Sequence, residues 1–171
     1  VGIFGVFINI AGLITMPLRV MGKVVLPLLA NAWAERDLQK IGALHYKTSM
    51  VQSILGMWLF IGVIVCRQDL FLLLRHPEYA QHFNIFLLLG ASYVINGFFG
   101  INQSIIATSD RYVFDFWFNL LFLVVCVGAN WLLIPLWGGE GAALANLASM
   151  FIINALKSLF IWRQFGLGFL S

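Results

Sequence analysis

Charge is what this sequence has least of. Ten Lys and Arg and seven Asp and Glu make up 10% of its 171 residues, against about 25% in an ordinary soluble domain. That shortage excludes a typical soluble fold. The ten basic residues are dispersed rather than clustered, so nothing supports nucleic-acid binding, and the net charge of +3 bears on topology instead. Cysteine is also sparse. Cys66 and Cys126 each lie in an apolar run without a second Cys or a His at metal-ligand spacing, which reads as inert packing. His45, His76 and His82 fall in connections or at span edges, so neither a metal nor a cofactor is expected. Long connections are missing as well: none exceeds about sixteen residues, too little for an extramembrane catalytic region, and an enzyme is not expected. A charged leader and a small-residue cleavage site are lacking before the first apolar run, which starts at once after Val1. A piece of a longer protein is therefore expected.

Apolar residues are abundant: 61% of the chain is hydrophobic and the mean hydropathy is +0.94. This predicts an all-α integral membrane protein, with room for about five spans of 20–25 residues in one bundle. The patterning places the spans at about 3–34, 48–66, 83–107, 112–135 and 141–162. Residues 35–47 carry alternating charge with Leu38, Ile41 and Leu44 on one side, the pattern of a short amphipathic helix at the interface. Residues 67–82 form the connection to the third span, where Leu70 to Leu74 is too short to cross. If the first span ends in the cytoplasm, Arg36, Lys40, Lys47, Arg111 and Arg163 are inside and Arg67 and Arg75 outside, as the positive-inside rule favours.

The first span carries the chemistry. Its 32 residues would extend roughly 48 Å as a helix, more than a hydrocarbon core of about 30 Å requires, so it is tilted, bent or overlong. Pro17 and Pro27 are the natural bends. Between them stand Arg19 and Lys23, four apart and one turn above each other. A mid-bilayer Arg or Lys costs about 2.5–3.5 kcal/mol, and this helix supplies no acid to offset it. Either the pair faces a polar cavity and attracts an anionic ligand or a carboxylate, or the long side chains snorkel to the headgroups.

Polar residues recur on one side of three other spans. Ser49, Gln52, Ser53 and Gly56 form a seam on the second, the kind that serves helix packing. Ser92, Asn96, Gly100 and Gln103 share a narrow sector of the third, and Asn146, Ser149, Asn154 and Lys157 a broader one of the fifth. Asn96, Gln103, Asn146 and Asn154 are the candidates for a polar cavity wall, with packing glue as the plain alternative. Lys157, near the end of its span, reads as snorkelling. Asp115 lies four residues after Arg111 and would pair with it; otherwise it is a partner for Arg19 or a coupling site for a proton or cation. Pro135 reads as a helix end, Gly138 and Gly139 as a reversal, and Gly141-Ala142-Ala143 as a narrow face on the next helix.

Three places carry a family resemblance: Leu26-Pro27 followed by Ala32-Trp33-Ala34-Glu35, then Pro77-Glu78-Tyr79-Ala80, and above all Asn130-x-x-Leu133-Ile134-Pro135-x-x-Gly138-x-x-Gly141-Ala142-Ala143. In these the chain resembles the C-terminal half of polysaccharide biosynthesis proteins of the O-antigen repeat-unit flippase family, within the multidrug/oligosaccharidyl-lipid/polysaccharide exporter superfamily. The resemblance implies two six-helix bundles around a central cavity in the bacterial inner membrane. A lipid-pyrophosphate-linked oligosaccharide crosses between leaflets there by alternating access. It also implies that these spans are the eighth to twelfth, that an N-terminal bundle is the missing partner, and that Arg19, with Lys23 beside it, belongs to the cavity cations. A cation-coupled multidrug exporter of the same superfamily, and a membrane-embedded polysaccharide polymerase or transferase, are the competing expectations.

Overall fold

The computed structural model describes residues 2–69 and 82–167. Leu70 to Leu74, Arg75, His76 and the Pro77-Glu78-Tyr79-Ala80 stretch lie outside them. Every described element is a helix: α1 (Gly2–Ala34), α2 (Leu38–Val65), α3 (Phe83–Phe98), α4 (Asn102–Thr108) and α5 (Val113–Phe165). Among the described residues α1, α2 and α5 are long and apolar enough to cross a membrane, and the bent pair α3–α4 makes a fourth such unit. The outer surface fits that setting, with Trp58, Val65 and Trp131 exposed by 72%, 74% and 80%.

α1 stays helical across both Pro17 and Pro27. α2 begins ten residues earlier than the apolar run at 48, so the segment expected to lie separately at the interface is its first turns. Asp37 is the reason the helix starts there: its carboxylate accepts from the Lys40 backbone amide at 2.9 Å and satisfies an orphan donor. The third span is not continuous either. The chain bends by 48° between α3 and α4, where Gly100 takes φ +59, and a side chain at that position would meet the Ser49 hydroxyl.

α5 turns back on itself. Phe114 and Phe160 bring their ring centroids to 4.9 Å, whereas a straight helix would hold residues that far apart in sequence about 69 Å from each other. The reversal is at Gly138, with φ 55 and ψ −126, and it leaves two antiparallel limbs, 113–137 and 139–165. Pro135 lies within the first limb and does not end it. Gly141 is fixed by contact: a side chain there would collide with the Leu133 carbonyl across the turn.

Two apolar clusters hold the bundle. Toward one end, Phe7, Ala11 and Ile14 of α1 pack with Phe83, Phe86 and Leu89 of α3 and Ala143 of α5. Toward the other, Val25, Leu29 and Ala32 of α1 pack with Ile41 of α2, Ile105 and Ile106 of α4 and Ile161 of α5. The order in which each helix visits the clusters makes α1, α2, the α3–α4 pair and the two limbs of α5 alternate in direction. The second end also gathers Arg36, Lys40, Arg111 and Arg163. Between the two clusters, Thr15, Arg19 and Gly22 of α1 face the polar part of the molecule.

Candidate functional site

A cavity of about 320 Å³ opens between the two apolar clusters. Thr15, Arg19 and Gly22 of α1, Gln52 of α2, Tyr93 and Asn96 of α3, Gln103 and Ser104 of α4, and Met150 and Asn154 of α5 face it, with Gly100 and Ile101 at the bend. Arg19 lies about 22 Å of helix from the Ala34 end of α1, and Gln52 and Asn154 are similarly central in α2 and in the second limb of α5. The cavity therefore sits at mid-height, between the two apolar clusters.

Arg19 is the charged residue of this lining. Among the described residues its guanidinium forms no ion pair; the salt bridges found there join Lys40 to Glu35 and Lys157 to Asp115. Around it several polar groups are already committed. The Thr15 hydroxyl donates to the Gly12 carbonyl at 2.7 Å. The Asn154 amide donates to Asn96 Oδ1 at 3.2 Å and to the Met150 carbonyl at 2.9 Å, tying α5 to α3 on the cavity wall.

Of the residues singled out by sequence, Arg19, Asn96, Gln103 and Asn154 come together here. Lys23 does not line the cavity and is exposed. At 100° per residue it stands about 40° beyond Arg19, past the edge of the sector that Thr15, Arg19 and Gly22 share. Asn146 is elsewhere too: its amide donates to Ser92 Oγ at 3.2 Å, a link between α5 and α3. Ser92 in turn donates to the Leu89 carbonyl at 2.6 Å.

Asp115 and Lys157 correct the local readings. Asp115 pairs with Lys157 at 3.1 Å across the two limbs of α5, not with Arg111 or Arg19. Lys157 is buried, with its side chain 5% exposed, so it does not snorkel. Asn119 completes the group, donating to Asp115 Oδ2 at 3.1 Å and accepting from Lys157 at 3.5 Å. The partners meet because Gly138 folds the helix back, which i,i+4 spacing cannot reveal.

His45 is likewise no surface residue. It is buried, and its Nε2 lies 2.9 Å from Asn102 Oδ1 and 3.4 Å from the Phe99 carbonyl, bracing the bend between α3 and α4. Gln52, which the sequence placed in a packing seam, also lines the cavity. It is 3% exposed, and its Oε1 is buried with no hydrogen-bond partner. Among the described residues no three His, Cys, Asp or Glu side chains gather as a metal site. Compared with family models, curated proteins and solved structures, the chain matches none.

Proposed function

We propose that this chain is a membrane-embedded half of a repeat-unit flippase, moving a lipid-pyrophosphate-linked oligosaccharide across the bacterial inner membrane by alternating access. On this reading the five crossings are α1, α2, the α3–α4 pair and the two limbs of α5, and an N-terminal bundle supplies the facing wall. The observation that carries it is Arg19: a guanidinium at mid-height, opening on a polar cavity and free of a carboxylate partner among the described residues. A guanidinium so placed makes paired, charge-assisted hydrogen bonds to phosphate oxygens, and these strengthen as water is excluded.

The cation-coupled multidrug exporter calls for a carboxylate open to a cation. The carboxylate nearest to that description, Asp115, is held by Lys157 and Asn119, which favours the flippase reading. The test is a translocation assay on the full-length protein. Arg19→Ala should abolish transport of the lipid-linked oligosaccharide, and Lys23→Ala, outside the lining, should reduce it less. Unchanged transport in Arg19→Ala would remove the proposed role of this cation.

A further inference from the structure

The bent span α3–α4 is divided between the two apolar clusters. Phe83, Phe86 and Leu89 of α3 pack in one, Ile105 and Ile106 of α4 in the other, and the 48° bend falls where one gives way to the other. Gly100 carries the bend with φ +59. Pro17 deprives α1 of a backbone hydrogen bond two residues before Arg19, which lines the same cavity as Gly100. His45 ties the bend to α2. Its buried Nε2 lies 2.9 Å from Asn102 Oδ1 and 3.4 Å from the Phe99 carbonyl, one on each side of Gly100, so that nitrogen carries the proton and donates to both. Farther along the same face of α2, Ser49 and Gln52 are buried, and neither the Ser49 hydroxyl nor the Gln52 Oε1 has a partner among the described residues. Beside them the Asn102 amide nitrogen is buried and unpartnered too. Such groups are rare in a settled interface, because each has given up water without return. Here a donor and acceptors stand idle on facing elements, and a second arrangement of those elements would use them.

We infer that Gly100 is a hinge and His45 the latch that holds it bent, a conformational device that sets the shape of the cavity. With the latch open, Gly100 takes helical dihedrals, α3 and α4 come into line, and Asn102 exchanges His45 for the idle oxygens on α2. Gln103 and Ser104 of α4 then shift relative to Tyr93 and Asn96 of α3, so the lining that the two halves share is rearranged. α4 is about 10 Å long, and straightening a 48° bend carries its far end sideways by about 8 Å. The latch acts on the backbone, so the device stands whatever the cavity takes up.

The experiment measures distances by double electron–electron resonance in full-length protein in nanodiscs, with its native cysteines replaced by alanine. Spin labels go on Trp58→Cys, exposed on α2, and on Asp110→Cys, exposed just beyond α4. The bent form should dominate the wild type. His45→Leu should raise the ratio of the second distance to the first about tenfold, through the hydrogen bonds it removes. His45→Gln keeps an N–H donor and should return the distribution toward that of the wild type, which a loss of packing alone would not do. Gly100→Ala disfavours the positive φ and sets a methyl group against Ser49, so it should leave the second distance dominant. The two His45 variants decide the matter where Gly100→Ala fails to fold. A distance that does not change in His45→Leu, or a change that His45→Gln does not reverse, would overturn the latch. A folded Gly100→Ala with the wild-type distance would overturn the hinge. Transport is not measured, so neither result touches the role of Arg19.

Discussion

Two cations within the helices of this bundle stand in opposite circumstances, Arg19 at mid-height and Lys157 toward the end where α5 begins. Lys157 is buried between the limbs of α5, with Asp115 at 3.1 Å and Asn119 behind it. Arg19 opens on a cavity with amides, hydroxyls and, among the described residues, no carboxylate in its lining. The first charge is neutralised where it stands, so its effect is on stability and on how the limbs of α5 are joined. The second has no ion-pair partner among the described residues. Polarity within an apolar helix is thus not one signal but two, and the partner across the bundle decides which.

The sharpest way to break the comparison is at the paired site. Lys157→Met strands a partly buried carboxylate and should cost about 3–5 kcal/mol in unfolding measurements in detergent. Adding Asp115→Leu should recover most of the loss, because the pair is then replaced by apolar packing. A single variant as stable as the wild type would make the two cations equivalent and dissolve the contrast. The reversal that brings the pair together is the next target. Gly141→Ala places a methyl group against the Leu133 carbonyl and should destabilise by about 1–3 kcal/mol. Gly139→Ala, which meets only the tip of Ile85 at 3.2 Å, should cost clearly less in the same thermal melt.

Effects on stability should shrink at the cavity. Asn154→Leu removes the amide bond to Asn96 and should cost about 0.6–1 kcal/mol by the same measure. Arg19→Ala should lie within about 0.5 kcal/mol of the wild type, as exposed substitutions do, while transport is lost. Loss of stability at Arg19 comparable to that at Lys157 would sharpen the contrast in the wrong direction and mark Arg19 as structural.

Much of this arrangement was legible before any coordinates, and the limits are physical. Arg19, Asn96, Gln103 and Asn154 stand out because a polar group in an apolar helix is costly and helical periodicity assigns it a face. What that face opposes is a tertiary fact. Gln52 sits in a seam with Ser49, Ser53 and Gly56 that has the composition of ordinary helix packing, so its unpaired oxygen could not be foreseen. Asp115 has a cation four residues away, but the one it binds is 42 residues away and arrives only through the turn at Gly138. The bend at Gly100 was hidden for a related reason: a glycine in a polar stripe looks like close packing, and here it also carries a positive φ against Ser49. At 35–47, the change in polarity suggested a separate helix. Backbone continuity from the Asp37 cap onward outweighed it.

The central claim is that position 19 faces water inside the bundle. Thiol labelling tests it most directly, in full-length protein in membranes with Cys66 and Cys126 replaced by alanine and an anionic, membrane-impermeant methanethiosulfonate as reagent. Val20→Cys is the control, since Val20 is 63% exposed but does not line the cavity. The account predicts that Arg19→Cys reacts readily, that a lipid-linked oligosaccharide slows it, and that Val20→Cys stays unlabelled. An unreactive position 19, or equal reaction at 19 and 20, would contradict it.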